Sequence, residues 1–263
     1  MPPTPVVPGL ATPRVHRRLC LFGLLGLLPG FARAQGAVRL ALSDAQHTYG
    51  ALIQAVFEDA GVALDLGYYP PPRALLMFQR GLVDAEAFRV AGVIQRHLPK
   101  DVVRVGPLAY GRVRWFARMD SIWTESPRTE LLRGLRLVYA RGHLAAQDWL
   151  ADQQLEAPAV AQLDSAFQML VNGRADLALT DELLGQQLLR QMGLATQVRP
   201  LGAAVVVEPA YLVLSGATAR RFPRIVVTFD QWLHSGRWWQ GIRAVNRRYG
   251  MPEDTGLPPE LLR

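Results

Sequence analysis

Twenty residues, Leu163-Asp-Ser-Ala-Phe-Gln-Met-Leu-Val-Asn-Gly-Arg-Ala-Asp-Leu-Ala-Leu-Thr-Asp-Glu182, constrain the fold more than any other stretch of this chain. Ser165 and Gln168 have the spacing of a capping box, which predicts a helix with Ala166, Met169 and Leu170 on one face. Gly173 ends it. Ala175 to Leu179 is then a short, almost wholly apolar run, as expected of a parallel strand buried on both faces, and it delivers Asp181 at its carboxyl end. In open α/β sheets that edge is where ligands bind.

The rest of the chain repeats this recipe. Val38 to Leu42 reads as a first strand, followed by the loop Ser43-Asp44-Ala45-Gln46 and a helix from about His47 to Ala60. Val62 to Tyr68 reads as a second strand. Pro70-Pro71-Pro72 opens a helix through Arg80, and Val83 to Phe88 is a third strand that ends at Arg89. This order implies a parallel sheet with right-handed crossovers. From Leu108 to Arg118 an apolar and basic run reads as a crossover strand into a second domain. That domain holds a strand at Leu135 to Ala140, a helix from about Leu144, the capped helix and strand above, and a helix from Asp181 to Met192. Val198 to Val207 carries the chain back, Tyr211 to Leu214 is a returning strand, and two helices close the sequence. Trp232, Trp238 and Trp239 with Leu233 and Ile242 read as a helical core stripe.

The capped helix, buried strand and Asp181 together resemble the second lobe of the bacterial family-three extracytoplasmic solute-binding proteins, known from amino-acid importers, and the resemblance extends over roughly Val38 to Gly250. It implies an α/β, two-lobed type II periplasmic binding protein fold with a ligand cleft between the lobes. Lobe 1 would take 35–109 and 203–263, lobe 2 would take 110–202, and 1–34 would be a signal peptide. The function it implies is extracytoplasmic capture of a small polar solute, carboxylate-bearing or amino-acid-like, for a membrane permease of the ABC type. A monomer is expected, without cofactor or metal.

The leader has its own physical signature. Arg17 and Arg18 precede an apolar run from Leu19 to Leu28, then Pro29-Gly30 and Ala32-Arg33-Ala34, an A-x-A site before Gln35. The run is shorter than the about 20 residues of a membrane span. It predicts export to the periplasm, by the general route or through Arg17-Arg18 as a twin-arginine signal. The sole cysteine, Cys20, lies in this leader, so the predicted mature chain has no disulfide and no thiol nucleophile. The formal charge of +7 falls to +3 once Arg14, Arg17, Arg18 and Arg33 leave, which calls for no nucleic-acid partner.

Candidate ligand residues sit at strand ends. Arg89 would grip a carboxylate by paired charge-assisted hydrogen bonds, or else pair with Glu86 or Asp84. Arg96, fifteen residues after Gly81, is the second claimant and matches the family spacing. The family's Ser-x-Thr-x-x-Arg pattern is replaced by Phe88-Arg-Val-Ala-Gly-Val-Ile-Gln-Arg96. By resemblance Asp181 pairs with an ammonium group; from its position it is also a helix N-cap. His143, between a strand and a helix, replaces the family's hydroxyl residue beside backbone amides. Asp44 resembles the acid that reads a ligand side chain, and Tyr49 the stacking aromatic, with Tyr68 and Tyr69 as competitors. No H-E-x-x-H, G-x-S-x-G, P-loop or S-x-x-K motif is present. Two alternatives remain: an enzyme resembling periplasmic dehydratases of prephenate-like acids, with Glu86, Asp44 or His143 as proton donor, and a sensor that reports closure to a receptor.

Overall fold

The computed structural model describes residues 36–262, so the predicted leader and its cleavage site before Gln35 lie outside the described residues. β1 (Val38–Ser43) passes through a 3-10 turn at Asp44–Tyr49 into α1 (Gly50–Asp59), where Ile53, Val56 and Phe57 share the buried face at helical spacing. β2 (Leu64–Tyr69), α2 (Pro71–Gln79) and β3 (Ala85–Val90) follow. Pro71 starts α2, where the amide it lacks would have had no helical partner. β1 pairs in parallel with both β2 and β3, the arrangement that two crossover helices impose.

α3 (Ala91–His97) leads to β4 (Val103–Arg118), the longest strand. Beyond it come α4 (Thr129–Leu132), β5 (Leu137–Ala140), α5 (Leu144–Asp152), β6 (Ala159–Val160), α6 (Leu163–Val171), β7 (Leu177–Asp181) and α7 (Glu182–Gln191). β8 (Val198–Pro200) and β9 (Val206–Leu214) bring the chain back, and α8 (Gly216–Arg221), α9 (Pro223–His234) and α10 (Arg237–Arg248) end it. The strand order is β2-β1-β3-β9-β4-β7-β5-β6, with β8 also on β4. β4 and β9 lie together at its centre, antiparallel from Val103 opposite Leu214 to Val113 opposite Val206. They therefore run through both halves of the molecule.

Each half has its own pair of cores, one on each face of the sheet. In the first, alternation along β1 sends Leu40 and Leu42 toward Phe57, Phe229 and Trp238, and Ala41 toward Ala74 and Phe78. In the second, Trp115, Leu137 and Leu177 face Leu150, while their neighbours Phe116, Val138 and Ala178 face Phe167 and Leu170. Trp238 is fully buried and donates its indole N–H to the Leu108 carbonyl at 2.7 Å, so the tryptophan stripe is core. No helix among the described residues is long and apolar enough to cross a membrane.

Several boundaries differ from expectation. α6 begins at Leu163, so Ser165 lies inside the helix and forms no capping box; the N-cap position is Gln162, without a side-chain bond. Burial of Leu163 with Ala166, Phe167 and Leu170 extends the apolar face one turn earlier than the serine suggests. The returning stretch Val198 to Val207 holds the short β8, and the expected strand Tyr211 to Leu214 is the end of the longer β9, which begins at Val206. The crossover strand starts at Val103, because its first residues already pair with the end of β9.

Candidate functional site

In a regular strand, residues three apart point to opposite faces. Glu86 and Arg89 would be separated in that way, but the pairing of β3 with β9 shifts register between them, and Phe88 adopts φ 59°. This bulge turns Arg89 back, and its guanidinium Nη2 meets Glu86 Oε1. The side chain of Glu86 is 1% exposed and that of Arg89 14%. A left-handed phenylalanine costs about 1–2 kcal/mol, offset here by burial of its ring against Tyr49 and Trp238 at 5.4 and 6.3 Å. Burial also lowers the Arg89 pKa to about 10.

On the other side, the turn Arg141-Gly142-His143 joins β5 to α5. Gly142 has φ 82°, and a Cβ on it would lie 2.2 Å from Pro72 Cγ on α2, so only glycine permits this approach. His143 caps α5: its Nδ1 lies 3.1 Å from the Ala146 amide, and its Nε2 lies 3.0 Å from the amide of Asp181. A neutral imidazole has one lone pair for these two donors. Burial keeps the ring neutral and lowers its pKa to about 4, with the Arg89 charge adding to the effect.

β7 delivers Asp181, whose Oδ1 accepts the Leu184 amide at 3.0 Å and so caps α7. Burial raises its pKa to about 6 despite that amide, and the neighbouring Glu182 pushes in the same direction. Arg89, His143 and Asp181 come together on the wall of one cavity of ≈ 120 Å³, beside Glu86 and Glu208. Asp181 also lines an adjoining cavity of ≈ 400 Å³ with Tyr49, Tyr110 and Arg112. Gln46, Phe88, Gly111 and Leu183 belong to both walls.

The remaining candidates lie elsewhere or are already engaged. Asp44 is exposed on the turn after β1 and lines neither cavity. Arg96 lines neither of them; 46% exposed, it pairs with Asp152 of α5 at 2.6 Å on the wall of a third cavity of ≈ 90 Å³ that it shares with Gly92 and Glu208. Tyr49 is buried and donates its hydroxyl to Asn246 Oδ1 at 2.7 Å, so it is as much a packing residue as a wall. Tyr68 is exposed, and Tyr69 lies under Arg73. Sequence reasoning missed Glu208, whose carboxylate accepts the Gly92 amide at 2.8 Å. The signal was available: an acid placed directly after the apolar run Val205-Val206-Val207 on a central strand. No group of three or more potential metal ligands forms among the described residues.

No protein-family model and no curated protein matches the sequence. Solved structures do match. The ligand-binding core of GluR0 from Nostoc punctiforme, in complex with L-glutamate, superposes with a TM-score of 0.64 at 14% identity, over 82% of this chain and 100% of that one. The fold is that of the two-lobed periplasmic binding proteins. A histidine kinase sensor domain similar to periplasmic binding proteins gives 0.67 at 15% identity, over 81% and 95% of the two chains. An ABC uptake transporter substrate-binding protein from Streptococcus pneumoniae with bound histidine gives 0.64 at 14% identity, over 81% and 91%. At such identities the likeness is one of fold. On a two-lobed fold of this kind, the smaller cavity at Asp181 falls between the lobes, since β3 and α2 supply one wall and α5, β7 and α7 the other.

Proposed function

We propose that this chain is an extracytoplasmic solute-binding protein that closes two lobes, 35–109 with 203–263 and 110–202, around a small polar solute. One observation carries the reading: Glu86 and Arg89 from one lobe, and His143 and Asp181 from the other, share a single cavity wall. Charged groups gathered from two lobes of a hinged fold are what a closing cleft requires. Export by the leader 1–34 and delivery to a membrane permease belong to the same reading. The sensor domain of like fold supports a second outlet, in which closure is passed to a signalling receptor.

Asp181 is placed to meet a positive group. For Arg89 as carboxylate anchor, its pairing with Glu86 sets a condition. A solute carboxylate must displace Glu86, and a buried ion stripped of its partner costs about 3–5 kcal/mol. The test is a thermal-shift screen of amino acids, small acids and amines, followed by solution scattering. At least one compound should raise the melting temperature and reduce the radius of gyration. If every compound leaves both unchanged, the solute-binding reading fails.

A further inference from the structure

The charge balance of the cleft narrows the solute class, on the reading that this is a solute-binding cleft. The wall of the smaller cavity holds one guanidinium, Arg89, and three carboxylates, Glu86, Glu208 and Asp181. Glu86 neutralises Arg89 and keeps its second oxygen, Oε2, buried without a hydrogen-bond partner among the described residues. That oxygen is an acceptor in want of a donor. Glu208 takes the Gly92 amide, and a Cβ on Gly92 would lie 2.8 Å from its Oε1, so the protein's own carboxylate already occupies that donor.

The larger cavity repeats the pattern. Arg114 is held by Glu182 at 3.0 Å and Arg112 by the Leu257 carbonyl at 3.1 Å, while Asp254 joins Asp181 on the wall. Arg89 and Arg114 are thus paired with carboxylates, Arg112 meets only a carbonyl and Arg89 keeps a buried Nε without a partner among the described residues, yet carboxylates outnumber guanidinium groups on the two walls. An entering carboxylate would meet walls on which negative groups predominate. An entering ammonium group, stripped of water, would find the carboxylates of Glu86, Glu208 and Asp181 on one wall.

We propose that the cleft selects a small organic cation, an amine or guanidine without a carboxylate. Its charged head sits among Asp181, Glu86 and Glu208, and its body extends past Asp181 into the larger cavity, whose walls include Tyr49, Phe88 and Leu183.

The test uses thermal shift and calorimetry near neutral pH with putrescine, agmatine, L-glutamine and succinate at millimolar concentrations. Putrescine or agmatine should stabilise the wild-type protein and succinate should not. Glu208→Gln keeps an oxygen for Gly92 but removes a charge, and should weaken amine binding roughly tenfold or more. Glu86→Gln releases Arg89 and should create a response to succinate. If Glu86→Gln does not fold, Glu208→Gln alone carries the test. Stabilisation of the wild type by succinate or glutamine beyond that by the amines overturns the proposal, as does unchanged amine affinity in Glu208→Gln. No shift with putrescine or agmatine also overturns the proposal, and the solute-binding reading falls with it only if the wider screen of amino acids, small acids and amines is silent too.

Discussion

Asp181 and His143 lie together in the cleft and are perturbed in opposite senses. The folded-state pKa of Asp181 is raised from 3.8 to about 6, so between those values the native state holds a proton that the unfolded state has released. Its contribution to stability falls as pH rises through that window. The folded-state pKa of His143 is lowered from 6.5 to about 4, so the unfolded state holds the extra proton, and its contribution rises with pH through nearly the same window. In the wild type the two slopes largely cancel. Asp181→Asn keeps a capping oxygen for α7 and removes only the first slope. Its stability, from denaturant melts between about pH 4 and 6.5, should therefore climb by up to about 3 kcal/mol relative to wild type. Parallel profiles for the two proteins would discard the opposed pair. The same variant should lose most of the stabilisation that a cationic solute gives the wild type. The place of Asp181 was legible, because an acid that ends an apolar run and precedes a helical pattern has one geometry open to it. The pairing of Arg89 with Glu86 was one of two sequence readings; the burial of the pair was not legible, since it depends on a left-handed Phe88 packed against Tyr49 and Trp238.

Elements were legible where their apolar period was complete, and blurred where two local preferences competed. Ser165 is a good capping residue, yet α6 starts at Leu163 because the buried leucine outweighs a cap. Arg96 has the family spacing, yet on α3 it pairs with Asp152, on the same helix face as Gly92 one turn earlier, which meets Glu208. The turn between β5 and α5 was recognised as a loop, but its role depends on what faces it. Gly142 admits Pro72 of α2 because it has no Cβ and a positive φ. Gly142→Ala should cost about 1–2 kcal/mol in stability from the left-handed conformation. It should also hold α2 and α5 apart by steric contact. The expected result is a folded protein that no longer contracts in solution scattering when solute is added. Normal contraction would mean that the contact is not needed for closure.

At the scale of the whole molecule, the two-lobed plan was readable because the strand–helix recipe occurs twice and one long run connects the halves. The contacts between α3 and α5 were not readable, because they depend on side chains far apart in sequence. α3 carries Arg96 and His97, and α5 carries Asp152 and Asp148 opposite them, at 2.6 and 3.0 Å. These pairs join the lobes on the outside of the cleft, where Arg96 and Asp152 are about half exposed. Exposed pairs are weak, and salt screens them. They matter here because open and closed forms of a hinged protein differ by only a few kcal/mol, so a small bias shifts the population visibly. Raising salt from about 0.1 M to 1 M shortens the screening length from about 10 to 3 Å. The solute-free protein should then expand in solution scattering, and Asp148→Ala combined with Asp152→Ala should be expanded at either salt concentration. Exchanging the charges, Arg96→Asp with Asp152→Arg, should restore compaction at low salt, which a merely local role for either residue would not. A radius of gyration that ignores salt in the wild type, or a charge exchange that stays expanded, would show that the cleft walls and not this outer clamp hold the lobes together.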